Sequence, residues 1–445
     1  MGYNVIGYVS SNSGLGVSVR NIIKLLLDRE CPFSVLDVES GFGRGLHDLS
    51  FESHTVKSPD ELSHPVNLAV LAIPSLPAFF LEPPSVLGGV QSLRVGADYW
   101  LAPGRVNVAL VWWELTVLPK VWVRALEMFD VVVAGSPFIR ATLETHLSNV
   151  FTIPALHPFE LPGTIEASRA RFGLPEGSTL FVTSFEPISD PERKNPFAAI
   201  AAFQRAFPHN APVGLVIKLN NAHITSAKLS PIMSRLDDLC RADARIRVID
   251  EVLSYSDVQR LYASCDAFVS LHRSEGLGFG LIEAMAHAKP VIATAWSGNM
   301  AFMNHTNSCL VRYKLIPVEG NLAVYKNDML GGPATWADPD LDHAAAWMKR
   351  LVEEPGFRNA LGRRAAQDVA SLQSEARKGK FLDEIHAFWR NQATVPRRNL
   401  EEKREGLQDI ERELARLRDA SLPYRKRVHN QIRRAADRHL LWRFR

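Results

Sequence analysis

The stretch SEGLGFGLIEAMA, residues 274–286, decides the fold of this chain. Residues 267–271, just before it, are β-rich and almost free of polar side chains, which predicts a buried strand. Three glycines within five positions then make a tight turn, and apolar residues follow at helical spacing. Residues 290–294 begin the next strand. The sequence therefore predicts a strand–turn–helix–strand unit whose helix start offers free amides and a positive dipole to a phosphate.

Two carboxylates, eight residues apart, bracket this turn. Glu275 follows the strand, and Glu283 lies about one turn into the helix. Near the helix N-terminus, Glu283 is expected to stay ionised and to accept hydrogen bonds from two vicinal hydroxyls. A ligand with a ribose, phosphates and a sugar fits this order. A capped helix start in any α/β protein explains the glycines alone, but the glutamate spacing is more specific.

The Glu275–Glu283 pattern with its glycines resembles the donor-site signature of glycosyltransferase family 4, and the resemblance extends over about residues 3–390. It implies an α/β protein of GT-B fold, in which two Rossmann-like domains face each other across a cleft. It also implies that Glu283 holds the nucleotide ribose, Glu275 the donor sugar, and the backbone of residues 278–281 the diphosphate. The donor-binding residues expected here are Gly276, Gly278, Phe279, Gly280, Leu281 and Glu283.

Length and cysteine content limit the class of protein. A chain of 445 residues with 46% hydrophobic content suffices for two or three domains. Its four cysteines are scattered, without the paired spacing of a zinc site or a disulfide framework, which favours a reducing cytoplasm. The N-terminus shows no signal peptide, and the longest apolar run, residues 66–81, is too short to span a bilayer. We expect a cytoplasmic protein, with attachment to the inner face of the membrane left open.

The net charge of +3 is unevenly distributed. Residues 396–445 carry 15 Lys and Arg against 8 Asp and Glu, so the rest of the chain is slightly acidic. The basic character therefore belongs to a tail and not to the body. We predict no nucleic-acid partner.

A second glycine-containing turn lies near the N-terminus. Residues 4–9 read as a strand, SNSGLG follows at 11–16, and a helix is predicted from about 17 to 28. This arrangement is typical of a nucleotide-binding half, although it is not a full GxGxxG. In the resembling family this loop closes over the donor phosphates, which implies donor contacts from Gly14, Leu15 and Gly16. This loop together with Arg20 resembles the variant of one subgroup of the family. An ordinary strand–helix turn is the alternative.

Glu114 is a candidate catalytic carboxylate. It follows a predicted buried strand in WWEL, residues 112–115, a stretch that also resembles one subgroup of the family. At that end of a strand an acceptor usually binds, and a carboxylate there could receive the proton of the acceptor hydroxyl. A structural hydrogen bond is the alternative.

Two adjacent cations precede an Ala-rich helix in the second half of the chain. Arg193 and Lys194 lie in EPISDPERKNP, residues 186–196. Beside a helix start they would stabilise a departing diphosphate without a metal, and the resemblance places a basic pair here. Their spacing differs from the common one, which leaves open which of the two makes the main contact. Solvated loop charges are the alternative.

The resemblance also implies that the backbone of Val252 and Leu253 reads the nucleotide base.

The predicted boundaries are 1–165 for an acceptor-side domain, 166–378 for a nucleotide-sugar domain, 379–395 for a helix crossing back, and 396–445 for a basic helical tail. In the tail, Leu400, Leu407, Ile410, Leu414 and Leu417 follow heptad spacing, which Lys403 interrupts. So short a repeat leaves a homodimer through residues 400–417 and a docked helix both open. Residues 438–445 mix Arg with Trp, Phe and Leu, a composition that suits an anionic membrane as well as a solvated end.

These observations predict a retaining, metal-independent glycosyltransferase. It would move a hexose, mannose or glucose, from a nucleotide-diphosphate sugar to a glycan or lipid-linked glycan in surface polysaccharide biosynthesis; the retaining outcome comes from the resemblance alone. No cofactor is expected. Asp338 and Asp340 have the spacing of a metal-binding DxD but are interpreted as a helix-capping turn and not as a strand end. The alternatives are a non-catalytic nucleotide-binding or assembly protein, and an NAD(P)-dependent enzyme, which the missing GxGxxG disfavours.

Overall fold

The chain folds around two parallel sheets. The computed structural model describes residues 1–38, 48–80, 100–102, 104–148, 150–163, 165–187, 189–209, 211–219, 230–320, 325, 330, 332–391 and 400–421. In these residues each main sheet has six strands, and helices connect successive strands. Crossover helices cover both faces of a parallel sheet, so its central strands are apolar along their length. The α/β class expected from the sequence is confirmed.

The first sheet has the strand order β2-β1-β3-β4-β5-β6, with all pairs parallel. Its strands are β1 Tyr3–Gly7, β2 Phe33–Asp37, β3 Val66–Ala72, β4 Val106–Trp112, β5 Val131–Ala134 and β6 Phe151–Pro154. Its helices are α1 Gly14–Asp28, α2 Pro77–Phe80, α3 Lys120–Leu126 and α4 Pro137–His146.

Helix α1 begins earlier than the sequence suggested. The prediction placed its start near residue 17, but the helix starts at Gly14 because Ser13 caps it, accepting a hydrogen bond from the Gly16 amide (3.4 Å). The glycine-containing segment therefore forms the first helical turn and not a loop. A β-carbon on Gly16 would lie 1.9 Å from the Ser11 carbonyl oxygen, so close backbone packing requires this glycine.

The second sheet has the order β12-β11-β10-β7-β8-β9 and is also parallel. Its strands are β7 Thr179–Phe185, β8 Val213–Leu219, β9 Ile246–Ile249, β10 Ala267–Ser270, β11 Val291–Thr294 and β12 Cys309–Val311. The antiparallel hairpin of β13 Tyr313–Pro317 and β14 Thr335–Pro339 extends beyond it. The helices are α5 Pro191–Lys194, α6 Pro196–Ala206, α7 Ser230–Ala242, α8 Tyr255–Ser264, α9 Phe279–Ala286, α10 Leu341–Glu353, α11 Pro355–Ala376, α12 Lys380–Arg390 and α13 Leu400–Ser421.

The DxD-like segment departs in part from its interpretation. Asp338 lies in strand β14, so the expectation that this segment is not a strand end was wrong. Asp340 does cap a helix: its carboxylate accepts a hydrogen bond from the His343 amide at the start of α10 (3.0 Å). Asp338 pairs with Arg273 (3.5 Å). Both carboxylates therefore have structural partners.

The last helices pack on the first half of the chain. Phe388 of α12 stacks on Phe151 of β6, with ring centroids 5.6 Å apart. Helix α13 lies against α3 and buries Leu407, Ile410 and Leu414. The structure therefore shows the docked helix. The apolar face of α13 that a homodimer would use is already packed against α3 of the same chain. Residues 422–445, including the 438–445 stretch suggested for a membrane, lie outside the described residues.

Lys403, which interrupts the heptad spacing of α13, forms a buried ion pair. The Lys403 ammonium contacts the Asp130 carboxylate at 2.9 Å, and both side chains are almost fully buried. The other oxygen of Asp130 accepts a hydrogen bond from the Asn107 amide (2.9 Å). Lys403 therefore fixes the position of α13 on the first domain, which an aliphatic heptad residue would not do.

Replacing Lys403 by methionine should lower the free energy of unfolding by about 3 kcal/mol, because Asp130 would remain buried without its cation. Urea denaturation followed by tryptophan fluorescence measures the change. Lys380→Met, at an exposed lysine of α12, is the matched control and should stay within about 0.5 kcal/mol of the parent. A Lys403→Met protein as stable as the control would contradict the proposed anchoring role of the ion pair.

Candidate active site

Glu275 lies against two cations at the carboxyl ends of neighbouring strands. It follows β10, whereas Arg193 and Lys194 end the short helix α5 after β7. Lys194 Nζ contacts one carboxylate oxygen of Glu275 at 2.6 Å, and Arg193 contacts the other at 3.4 Å. Arg193 is only 3% exposed, which excludes the interpretation of a solvated loop charge for this residue. The structure therefore brings together Glu275, Arg193 and Lys194, the three side chains that the sequence predicted to act together.

The Glu275 carboxyl is strongly acidic in this setting. Burial by itself would raise its pKa, but the charges of Lys194 and Arg193, with a contribution from His272, bring the pKa down to about 2. The group is therefore an anion over the whole physiological range. An ionised carboxylate accepts hydrogen bonds and stabilises positive charge, but it is a weak base.

Arg193 also bridges to the first domain through Glu114. Its guanidinium lies 3.7 Å from one Glu114 oxygen and donates to the Ser274 carbonyl (2.9 Å). Burial tends to lower the pKa of Arg193, but the negative charges of Glu114 and Glu275 raise it above the ordinary value. Arg193 therefore stays charged and separates two carboxylates contributed by different domains.

Both Glu114 oxygens have partners. Besides its ion pair with Arg193, Glu114 accepts a hydrogen bond from the Tyr325 hydroxyl (2.9 Å). The Ser274 hydroxyl donates to the Glu114 carbonyl, which ties the strand end of the first domain to the Glu275 loop. Burial, followed by the charge of Glu114, raises the pKa of Tyr325 well above its ordinary range, so the phenol remains a donor. Tyr325 carries no motif, and sequence reasoning missed it.

Helix α9 starts as the glycine turn predicts. Gly278 has φ +97°, in the left-handed region, and caps the helix without a side-chain hydrogen bond. A β-carbon on Gly276 would lie 3.3 Å from the Trp112 ring, so the turn approaches the first domain closely. Phe279 faces the rings of Trp112 (5.8 Å) and His157 (5.4 Å). The start of α9 is therefore packed against the first domain.

Glu283 lies within α9 and is 8% exposed. Its carboxylate accepts a hydrogen bond from the Tyr255 hydroxyl (3.0 Å). Burial raises the pKa of Glu283, while Gln259 and Tyr255 oppose the rise. The direction is opposite to the one expected from the helix dipole, because burial is the largest contribution to this pKa. Tyr255, at the start of α8, is a second tyrosine that sequence reasoning missed.

The first turn of α1 faces the start of α9, as the resemblance implies. A β-carbon on Gly14 would lie 4.0 Å from the Phe279 ring, and Leu15 is partly buried beside it. Arg20 is not free for a phosphate: it donates to the Val9 carbonyl (2.6 Å) and pairs with Asp48 (3.1 Å). Arg20 therefore holds the shape of this turn.

The segment implied for base recognition follows β9. Val252 is 40% exposed and Leu253 is buried. A lysine of the neighbouring strand supports it: Lys218 is buried and donates to the Glu251 carbonyl (3.1 Å). Burial lowers the pKa of Lys218 to about 8, against the charges of Asp250 and Glu251. Sequence reasoning missed this buried lysine because a single cation in an apolar strand has no motif.

Among the residues that the structure describes, no group of three or more His, Cys, Asp or Glu side chains is placed to hold a metal ion. In that same part of the chain, no helix is both long and apolar enough to cross a membrane.

A family match covers the glycine turn. Residues 218–317 match the family described as glycosyl transferases group 1, and this range contains both Glu275 and Glu283. This part of the chain is similar to the group 1 glycosyltransferases. No curated protein matches this chain in sequence.

Solved structures share the fold of this chain at low identity. Sucrose-phosphate synthase from Thermosynechococcus elongatus matches with a TM-score of 0.62 and 14% identity, covering 87% of this chain and 100% of that one. Anabaena HepE in complex with UDP-glucose gives 0.60 and 15%, covering 86% and 100%. A structure described as trehalose-6-phosphate from E. coli, bound with UDP-2-fluoro glucose, gives 0.54 and 9%, covering 86% and 98%. These similarities confirm the GT-B fold.

Proposed function

We propose that this protein is a retaining, metal-independent glycosyltransferase of family 4 that takes a hexose from a nucleotide-diphosphate sugar. The observation that carries the proposal is the meeting of Glu275, Arg193 and Lys194 beside the start of α9, with Glu283 further along the same helix. The three side chains and the helix N-terminus together offer a sugar site and an anion site side by side. UDP-sugars in the HepE and E. coli structures support this class of donor.

Lys194 is the better candidate for the main diphosphate contact. Arg193 is already engaged by Ser274, Ser189, Glu275 and Glu114. The Lys194 ammonium pairs with Glu275, and the Lys194 side chain is 23% exposed. A partly solvated ammonium on a flexible stem can turn toward a phosphate at lower cost than a buried guanidinium held on several sides.

In the proposed reaction the bond between the anomeric carbon and the diphosphate oxygen breaks, and the acceptor oxygen bonds to that carbon on the same face. The acceptor proton passes to the departing phosphate oxygen. Lys194 and the amides at the start of α9 stabilise the growing negative charge, while Glu275 stabilises positive charge on the sugar. Because both oxygens of Glu114 have partners, we assign it the role of orienting Arg193 rather than of a base.

We further propose a glycan or lipid-linked glycan as acceptor, in the biosynthesis of a surface polysaccharide. The positive balance of residues 396–445 supports a peripheral contact with an anionic membrane at the cytoplasmic face. The alternative of an assembly protein loses its main support, because the apolar seam of α13 is buried within the chain.

Hydrolysis of a panel of UDP-, GDP- and ADP-sugars tests the donor and the metal independence. We expect slow release of one nucleoside diphosphate, unaffected by EDTA and lost in Lys194→Ala. Lys314→Ala, at an exposed lysine of the β13–β14 hairpin, is the matched control and should keep the activity. Saturation with the correct nucleotide should raise the melting temperature, since a hundredfold excess over Kd stabilises by about 2.7 kcal/mol.

Two outcomes would contradict the proposal. Release that requires a divalent cation would overturn the metal-free mechanism. Absence of release from every donor, together with no stabilisation by any nucleoside diphosphate, would overturn the enzyme itself; stabilisation by NAD(P) instead would favour the oxidoreductase alternative.

A further inference from the structure

The turn after β11 contains a serine in a strained backbone conformation. Ser297 has φ +77° and ψ −147°, a region that glycine occupies almost exclusively because a β-carbon is crowded there. Strain of this kind persists only where the surrounding structure enforces it, and it is concentrated at functional sites. Ser297 is 6% exposed, so its strained conformation is not that of an unconstrained surface loop.

The strained turn binds the backbone of Glu275 on both sides. The Glu275 amide donates to Ser297 Oγ (2.8 Å), and the Glu275 carbonyl accepts a hydrogen bond from the Gly298 amide (2.9 Å). The Ser297 hydroxyl in turn donates to the Trp296 carbonyl. Both backbone polar groups of Glu275 are therefore satisfied by two successive residues of one turn.

The turn has little freedom to move away from Glu275. A β-carbon on Gly298 would lie only 2.0 Å from the Gly276 carbonyl oxygen, so the two loops are in direct backbone contact. Beneath them, Asn299 donates to the Thr294 carbonyl (3.0 Å) and accepts a hydrogen bond from the fully buried His272 (3.2 Å). These contacts hold Ser297 in the strained conformation.

The first domain also contacts this turn. Phe138 of α4 packs edge-on against Trp296, with ring centroids 5.8 Å apart. Trp296 immediately precedes Ser297 and supplies the carbonyl that its hydroxyl binds. The position of the Glu275 backbone therefore depends on both domains.

We propose that Ser297 is a positioning residue that fixes the backbone of Glu275 and so aims its carboxylate at the donor sugar. This inference rests on the proposed function. A glycine would adopt the same backbone without strain but has no hydroxyl. The strained serine is therefore explained by its hydrogen bond to Glu275.

Two variants separate positioning from stability. Ser297→Gly removes the hydroxyl and also the strain, so its melting temperature should stay close to that of the parent protein. Its kcat for donor hydrolysis should fall about tenfold, as expected for the loss of one well-placed hydrogen bond, with the KM for the donor nearly unchanged. Ser297→Ala retains the strain and should show the same loss of kcat with a lower melting temperature.

Glu30→Gly is the matched control, because Glu30 has φ +50° in an exposed turn after α1. It should leave kcat unchanged. Wild-type kcat in both Ser297 variants would overturn the inference and leave the proposed function intact, as would losses that simply follow the melting temperature. A wild-type protein that hydrolyses no donor would instead be a failure of the proposed function.

Discussion

Replacing Glu275 by glutamine should lower kcat for donor hydrolysis and sugar transfer by about 10²–10³-fold, the range found when a preorganised electrostatic group is removed. Glutamine has nearly the same shape but no charge. The Glu275 carboxyl, with a pKa of about 2, is fully ionised at neutral pH, so the substitution removes a whole negative charge from the sugar site. The effect should appear in kcat because that charge is needed most when the sugar becomes cationic.

The same substitution should not weaken nucleotide binding. In the wild-type protein the Glu275 carboxylate holds Lys194 at 2.6 Å and Arg193 at 3.4 Å. Without that carboxylate the positive charge of the site is less neutralised, so the affinity for a nucleoside diphosphate should be equal or higher. Steady-state kinetics and isothermal titration calorimetry separate the two effects.

Glu192→Gln is the matched control for this prediction. Glu192 lies on the same short helix as Lys194 but pairs with Arg273 at the surface, with its side chain 47% exposed. Its kcat should stay within a factor of about two of the parent, as surface ion pairs contribute little. If Glu275→Gln retained the activity of this control, Glu275 would have no electrostatic role in the reaction.

The glycine turn could be predicted because its signal is local. Glycines, a short apolar strand and helical spacing occur within twenty residues, and Gly278 adopts the positive φ that the turn needs. The N-terminal turn shows the limit of this reasoning. Gly14 and Gly16 suggest a loop by propensity, yet the cap by Ser13 and the tight packing on Ser11 make them helical.

Predicting that Glu275 lies beside Arg193 and Lys194 requires knowledge of the strand order in the second sheet. About eighty residues separate the glutamate from the cations in sequence, and their loops adjoin because β7 and β10 are neighbours in the sheet. Composition and periodicity do not contain that order, and the resemblance supplied it. In such sheets, ligands bind at the carboxyl ends of the strands, where these loops meet.

Other parts of the site have no signal in the sequence. Tyr325 and Tyr255 are single aromatic residues whose importance lies in one hydrogen bond each, to Glu114 and to Glu283. The turn at residues 297–300 can be recognised from sequence as a strand end near the donor, but the strain at Ser297 cannot, because its backbone has a glycine-type conformation and the residue is not a glycine. Long-range contacts and strain are properties of the folded chain and leave no pattern in sequence.

Replacing Arg193 by methionine should lower both activity and stability. Methionine fills a similar volume but leaves Glu275 and Glu114 without the cation between them. Removal of one partner from a buried ion pair costs about 3–5 kcal/mol, because the remaining charge stays buried. The kcat should fall at least about a hundredfold, since Glu275 and the domain contact through Glu114 both lose their fixed position.

The loss of stability should depend on pH in a defined direction. A carboxyl whose pKa is lowered on folding stabilises the protein above its unfolded pKa, and this contribution disappears as the pH falls through the folded value. For Glu275 the decline runs from about pH 4.5 to about 2 in the wild-type protein. Without Arg193 the pKa of Glu275 is lowered less, so the variant has less of this contribution to lose. The difference in melting temperature should be greatest at neutral pH and should narrow below about pH 4.

Melting curves between pH 7 and pH 3 measure this difference, with Arg312→Met as the matched control. Arg312 pairs with Asp340 at the surface, and its side chain is 73% exposed, so its loss should cost less than about 1 kcal/mol at any pH. A gap between Arg193→Met and the wild type that stays constant from pH 7 to pH 3 would mean that packing, and not charge neutralisation, is what Arg193 supplies. A narrowing gap would show that the Arg193 guanidinium, together with Lys194, keeps the pKa of the Glu275 carboxyl low.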